Sequence, residues 1–426
     1  MTCTDSRLNR SAASLSQLMQ VFMFICSGSG FKSVAKDLAR LFSYECLRGC
    51  WDRQCLEISF GLGRKNLANG VTWQRFYWLL LPVLLVLSTA GCGTFMAHRM
   101  VQSPNTYPDW FAPEAPVLLG FSPKFLTNFP KQFVAVRPPM AHLCYRIVEP
   151  ADYHLKVSST NWLEHGRKRT EFDFHADLPG QSNIWTSASR GTVVLLHGYG
   201  LAQFSMAPWA LRLAQEGWQC VLVDLRGHGE STGRQIYYGI QEVHDLSQLL
   251  DELARDGRLK EPVAAFGESY GAVMALRWKM VEPRVRSVVA IAPYAGLSNA
   301  VMNLRHEYAV WLPKTFVKAG LKQLPSVLDI PADELDTTTE LARHPVSALF
   351  VAGTEDKITP LADVEQLRAL AAPISELIVV PDATHETVTY YMADLAPPVL
   401  AWLPNKVGQG EFVDSFVGTN APISSQ

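Results

Sequence analysis

The sequence predicts an α/β fold, a mostly parallel sheet covered by helices on both faces, and three observations predict it. From residue 131 onward, short runs of apolar and β-branched residues alternate with longer stretches of helical spacing. The runs are continuously apolar, as strands buried on both faces are when helical crossovers connect them in parallel. The chain is also long and apolar enough to bury such a sheet, with 426 residues, 48% hydrophobic and 18% charged, a globular composition.

Eight runs qualify as strands: Phe133–Val136, Leu143–Val148, Thr192–Leu196, Cys220–Val223, Val263–Phe266, Val288–Ile291, Ala348–Val351 and Leu377–Val380. Helical patterns lie between them at Pro208–Glu216, Gln241–Asp256 and Ala272–Met280, the second with the Asp/Leu spacing of an amphipathic face. The strand rhythm lapses from Ala295 to His344, where Trp311, Leu312, Phe316, Val317, Leu321, Leu324 and Val327 fall at helix-like spacings. A helical cap is therefore expected at about 295–344, with Trp311 and Phe316 in its core and contributing to a substrate wall. Residues 98–130, rich in proline and aromatic residues, read as a loosely packed linker before a domain at 131–403, and the polar residues 404–426 read as a flexible tail.

A formal net charge of −2 gives no broad attraction to phosphate backbones, and no basic stripe interleaved with aromatics appears in the second half of the chain. Nucleic acid is excluded as an expected partner on that ground. Of eight cysteines, Cys3, Cys26, Cys46, Cys50 and Cys55 crowd the first 55 residues, so no disulfide framework is expected in the domain. The spacing of Cys46, Cys50 and Cys55 fits no zinc pattern, and no histidine precedes His98.

The stretch Phe76–Ala97 carries no charge and is about long enough to cross a bilayer, with Trp73, Tyr77 and Trp78 placed as interfacial aromatics. Its end, Leu87-Ser88-Thr89-Ala90-Gly91-Cys92, resembles the lipobox of a bacterial lipoprotein signal, in which small residues precede a lipidated cysteine. That resemblance makes Cys92 the lipidation candidate. A secretory signal belongs at the amino terminus, so residues 1–70 are expected to be a non-native extension and 71–97 the signal, with translation starting near Val71. The alternative is a plain transmembrane anchor behind a cytoplasmic preface. Ten basic against five acidic residues before Phe76 fit either case. Both place the rest of the chain outside the inner membrane of a bacterial cell envelope.

The chemistry centres on Gly267-Glu268-Ser269-Tyr270-Gly271, which follows an apolar strand and precedes a helix, the context of a nucleophile elbow. In so tight a turn, side chains two before and two after the serine would strike neighbouring backbone, so glycine is required at both places. A serine hydroxyl becomes a useful nucleophile only when a base takes its proton and a carboxylate fixes that base. Asp356 sits just past the strand ending at Val351, and His385 just past the one ending at Val380. Glu355, Glu268 and Asp382 are the rival carboxylates.

Two further motifs, His197-Gly198-Tyr199-Gly200 and Asp224-Leu225-Arg226-Gly227-His228-Gly229-Glu230-Ser231, also follow strands. With these four motifs in order, the stretch from about Lys131 to Leu403 resembles the α/β-hydrolase superfamily, particularly its capped, lysophospholipase-like and serine-aminopeptidase-like esterases. The resemblance implies an eight-stranded sheet with a cap and a Ser269–Asp356–His385 triad. It implies an oxyanion hole from the backbone N–H groups of Tyr199 (or Gly200) and Tyr270, and no metal or cofactor. His197, His228 and Arg226 would be structural. The implied activity is hydrolysis of a small carboxylic ester or thioester through an acyl-enzyme. Two alternatives stay open. One is a serine peptidase acting on short peptides, with Glu307, Asp329, Asp333 and Glu334 as the cap carboxylates available to a substrate amine. The other is a catalytically idle, membrane-anchored binding protein.

Overall fold

A computed structural model of the protein describes residues 91, 93–106, 118–119, 123–164, 167–178 and 188–405. All lie in the unit Phe76–Gln426, the second of two into which the chain divides. Residues 1–70, most of the apolar run, Cys92 and the tail from 406 fall outside the described residues. Among the described residues, no helix is long and apolar enough to cross a membrane.

The described chain begins with helical residues 93–100 and reaches a two-residue strand, β1 (Leu118–Leu119). Strands β2 (Gln132–Val136) and β3 (Ala141–Val148) form an antiparallel pair, and β4 (Lys156–Glu164) and β5 (Arg167–His175) form a hairpin. The parallel part follows as β6 (Thr192–Leu196), α1 (Ala207–Ala214), β7 (Gln219–Val223), α2 (Glu242–Arg255), β8 (Val263–Glu268), α3 (Tyr270–Val281) and β9 (Val285–Ile291). Three helices, α4 (Leu297–Tyr308), α5 (Lys314–Leu328) and α6 (Thr337–Arg343), fill the cap interval. The chain then closes with β10 (Leu349–Gly353), α7 (Leu361–Leu370), β11 (Glu376–Val380) and α8 (Met392–Asn405). All eight expected runs are strands of one sheet, ordered β11-β10-β9-β8-β6-β7-β3-β2. From β7 to β11 neighbouring strands pair in parallel, and β2 and β3 add an antiparallel edge.

The period of two puts successive side chains on opposite faces, and here both faces are buried. Val194 and Leu196 enter one core with Val221, Val223, Val288 and Ala290, while Val193 and Leu195 enter the other with Cys220, Leu222, Val289 and Ile291. Continuous apolarity was the correct signal for that reason. Helix α2 covers one face with Val243, Leu246, Leu249, Leu250 and Leu253, an apolar stripe at helical spacing. Burial leaves the thiols of Cys144 and Cys220 free, with raised pKa values.

The structure departs from expectation outside the main sheet. Strands β1, β5 and β4 form a second sheet; β4 and β5 are mostly polar, and the hairpin uses Phe172 and Phe174 to pack on Tyr390 and Tyr391. Residues 98–130, read as a loose linker, contribute buried Met100, Val101, Leu126 and Phe129 to the cores. The end of the apolar run also belongs to the domain. A Cβ on Gly93 would lie 3.1 Å from the Ala319 carbonyl oxygen, and one on Gly320 would lie 2.6 Å from Met96, so residues 93–100 pack on α5.

The turn after β7 is fixed by a buried carboxylate. Asp224 accepts from the Gln203 backbone N–H at 2.7 Å, the Gln203 side-chain amide at 2.8 Å and the Glu230 N–H at 2.9 Å. A Cβ on Gly229 would strike that carboxylate at 2.4 Å. Arg226 then ties the turn to α2 through two 2.7 Å bonds to Asp245, both side chains being 1% exposed. Removing one partner strands a buried charge, so Asp245→Ala should lower unfolding free energy by about 3–5 kcal/mol in urea titration. The double replacement Arg226→Met with Asp245→Leu should recover most of that loss; a single variant as stable as the native protein would refute the argument.

Candidate active site

The elbow at Ser269 is a close backbone contact. Ser269 has φ 52° and ψ −110°, a conformation that costs a non-glycine residue on the order of 1–3 kcal/mol. It persists because the surroundings leave no alternative. A Cβ on Gly267 would sit 2.1 Å from the Gly271 carbonyl oxygen, and one on Gly271 would sit 2.1 Å from the Leu196 carbonyl oxygen. The Ser269 N–H donates to the Ile291 carbonyl at 2.8 Å. The hydroxyl is thereby raised above the carboxyl ends of β6, β8 and β9.

Two loops bring the base and acid to it. The turns after β10 and β11 pack backbone to backbone, with the Thr354 N–H donating to Val380 at 3.1 Å and the Glu355 N–H to Ala383 at 3.0 Å. A Cβ on Gly353 would lie 2.2 Å from the Ala383 carbonyl oxygen. From these loops, His385 Nδ1 meets Asp356 Oδ2 at 2.8 Å and His385 Nε2 meets Ser269 Oγ at 2.9 Å. A carboxylate only accepts, so Nδ1 carries the proton and Nε2 offers its lone pair to the hydroxyl. Asp356 is further held by the Ile358 N–H at 2.8 Å, the Thr359 N–H at 2.7 Å and the Thr359 hydroxyl at 2.7 Å. Its side chain is fully buried, while His385 remains slightly open to solvent.

The three sequence-predicted residues thus converge. The rival carboxylates do not occupy that place: Glu355 and Asp382 are exposed, and Glu268 is buried against Thr389. Sequence reading missed Thr359, whose signal was an Asp-x-x-Thr turn in which the carboxylate receives N–H groups two and three residues on. It also missed the cap contacts. Asn303 of α4 donates to the Ile358 carbonyl at 3.0 Å, Glu307 approaches Lys357 at 3.9 Å, and the Tyr308 hydroxyl donates to Glu386. The carboxyl end of α4 therefore rests on both triad loops.

The expected oxyanion donors flank the hydroxyl. Tyr270 opens α3, so its N–H belongs to the first helical turn, which lacks intrahelical acceptors. The 198–200 turn lies alongside, a Cβ on Gly198 falling 3.7 Å from the Ser269 Cβ. His197 braces that turn from below. Its Nε2 accepts the Leu225 N–H at 3.0 Å, so Nδ1 is the protonated nitrogen and donates to the Gly198 carbonyl at 2.8 Å. Burial pushes its pKa down to about 4, and that of neighbouring His228 down to about 3, so both are neutral struts. Trp311, expected in the cap core, is instead 48% exposed, because it lies in the short loop between α4 and α5. Among the described residues, no group of His, Cys, Asp and Glu side chains converges to hold a metal ion.

Glu268 yields a pH prediction. Burial raises its pKa from 4.5 to about 7, against the opposing influence of His385 and Thr389. A raised folded-state pKa contributes stability that is full below the unfolded value and lost as pH rises through the folded one. Glu268→Gln keeps the shape of the neutral acid and never ionises. Its stability relative to the native protein should rise between pH 4.5 and 8, by on the order of 3 kcal/mol. Parallel pH profiles of unfolding free energy for the two proteins would contradict the burial argument.

Comparison with known proteins agrees with this architecture. Residues 187–333 match the family model described as Hydrolase_4, serine aminopeptidase, S33. The chain is 29% identical over 181 residues to the uncharacterized protein YqkD of Bacillus subtilis (strain 168), covering 41% of this chain and 58% of that one. The matched region thus spans less than two thirds of that relative. A solved esterase of Pyrococcus furiosus, Pf2001, superposes with a TM-score of 0.50 at 20% identity, over 69% of this chain and 98% of that one, a likeness of fold. With the family match over the elbow, the sheet order and the strand–turn–helix at Ser269, the chain has the α/β-hydrolase fold, and residues 187–333 are similar to the serine aminopeptidase family.

Proposed function

We propose that the protein is a serine hydrolase that cleaves a small carboxylic ester or thioester through an acyl-enzyme on Ser269. The observation that carries the reading is His385 bridging Ser269 and Asp356 at 2.9 and 2.8 Å. As the hydroxyl attacks the carbonyl carbon, its proton passes to His385 Nε2, and Asp356 stabilises the imidazolium and holds its orientation. The developing oxyanion is received by the N–H groups of Tyr270 and of Tyr199 or Gly200, each such donor being worth roughly 3–4 kcal/mol. His385 then protonates the leaving group, and a water that it activates releases the acid. Serine at the elbow, where aspartate would serve dehalogenation or epoxide opening, fits acyl transfer.

A peptidase reading is kept alive by Glu307, a cap carboxylate beside Lys357 at the triad, because an acidic group in that position would receive a substrate amine. The membrane reading belongs to the same proposal: the apolar run Phe76–Ala97, as a span or through lipidated Cys92, holds the domain at the outer side of the inner membrane. Mass spectrometry of the native amino terminus tests it, and peptides from residues 1–70 would rule out a start at Val71.

The activity test combines labelling by a fluorophosphonate probe with hydrolysis of p-nitrophenyl esters of graded chain length and of aminoacyl p-nitroanilides. The native protein should label and prefer the esters, and Ser269→Ala should neither label nor retain more than about 10⁻⁴ of kcat. Preference for the anilides would transfer the assignment to peptides. A native protein that neither labels nor turns over would leave only the binding-protein reading.

A further inference from the structure

We propose that the outward face of α5 is a docking surface for an anionic lipid bilayer, which orients the cap and the catalytic mouth against the membrane. The proposal rests on the anchoring reading above and is independent of the reaction catalysed. Helix α5 has a clear division of faces. Val317, Gly320, Leu324 and Leu328 are buried, while Lys314, Thr315, Lys318, Lys322 and Ser326 are exposed. The three lysines recur every fourth residue, which lines them up on one side about 6 Å apart along the axis. Lys314–Leu328 contains no acidic residue, and among the described residues these lysines meet no carboxylate. Asp329, at the carboxyl end of the helix, is the nearest opposite charge in sequence.

The location of this stripe selects the occupant. Gly93 packs against Ala319 and Met96 against Gly320, so the flank of α5 holds the residues that directly follow Cys92 in the chain. Whether the bilayer retains the protein by a span or by a lipidated Cys92, α5 lies within a helical turn or two of the point of anchorage. Its free face carries positive charge where anionic headgroups are closest. At the amino end of α5, Arg305 folds the connecting loop by donating to the Val310 carbonyl at 2.5 Å and the Leu312 carbonyl at 2.7 Å. That leaves Tyr308, Val310 and Trp311 at 61%, 62% and 48% exposure, aromatic and apolar groups of the kind that settle at the headgroup level. Tyr308 also bonds to Glu386, beside His385. The proposed surface is therefore continuous with the rim of the triad, and a bilayer seated on it would meet the mouth of the site.

The test uses the full chain, reconstituted from detergent into vesicles of phosphatidylcholine alone or mixed with phosphatidylglycerol. Acetylation of individual lysines is followed by mass spectrometry. In the anionic vesicles, Lys314, Lys318 and Lys322 should react several-fold more slowly than in the neutral ones, each lysine near such a surface shifting the binding equilibrium by about fivefold. High salt should remove the protection as screening sets in. Lys260, exposed just before the central strand β8 at the amino end of the sheet, should react equally in both. The variant Lys314→Glu, Lys318→Glu, Lys322→Glu alters only exposed positions. It should float with the vesicles yet show no difference between the two lipid mixtures in quenching of Trp311 fluorescence by brominated acyl chains, whereas the native chain shows stronger Trp311 quenching in the anionic vesicles. Equal lysine reactivity in the two vesicles, with the protein membrane-bound, overturns the docking surface and leaves the anchor standing. Failure of the native chain to float overturns both, and neither result touches the serine-hydrolase assignment, which the probe reads separately.

Discussion

The turn at Ser269 can close only because three pieces of backbone approach to distances that forbid a side chain, and the rest of the site depends on that closure. Gly267 and Gly271 are the two positions where a methyl group would meet a carbonyl oxygen at 2.1 Å. Neither contact can be relieved by a rotamer change, since the atoms met are main chain. The central strands β6, β8 and β9 hold the Leu196 carbonyl and the start of the elbow in place through parallel ladders. Sheet register therefore determines where the hydroxyl stands. Packing of the two apolar cores fixes that register, because a slip of one residue would exchange the faces of every strand.

The second requirement is that two loops far apart in sequence from the elbow agree on the position of one imidazole. The turns after β10 and β11 are held together by main-chain bonds, with Gly353 again too close to Ala383 to carry a side chain. Asp356 satisfies its oxygens with two backbone N–H groups, a threonine hydroxyl and His385. A buried carboxylate so fully bonded is held in one orientation, which fixes the histidine tautomer in turn. On the other side, His197 and His228 are kept neutral by burial and act as spacers. Three histidines within one site thus differ in role because their surroundings differ.

Much of this was legible in the sequence because the responsible signals are local. The eight strands announced themselves as unbroken apolar runs, the elbow as two glycines around a serine, and Asp356 and His385 by their place in the turns just past two late strands. The losses have physical reasons. The hairpin β4–β5 is mostly polar and rests on two aromatic side chains, Phe172 and Phe174, whose partners lie more than 200 residues later, so no local pattern reports it. Residues 98–130 looked loose because proline hides periodicity, although Met100, Val101, Leu126 and Phe129 are buried. Trp311 was assigned to the cap core by helical spacing, but the helix breaks at Ala309 and the indole falls in a loop. Thr359 was missed because its role is a hydrogen bond to a neighbour, which spacing alone does not specify.

The segment joining the apolar run to the domain bears on how the chain would be anchored. As a continuous uncharged stretch, Phe76–Ala97 has the length of a comfortable crossing. Gly93, Met96 and Ala97 are nevertheless committed to α5 and the core, with Ala97 fully buried. Residues packed on protein are withdrawn from the hydrocarbon, which leaves Phe76–Cys92 at the short end of the roughly 17–25 residues a crossing helix uses. A lipidated Cys92 has no such length requirement, and it would place the first residue after the lipid directly in the groove beside α5. On the anchoring proposal, the packing of Gly93 against Ala319 therefore favours the lipid over the span, and it does so through the contact that also brings the lysine face of α5 to the membrane surface.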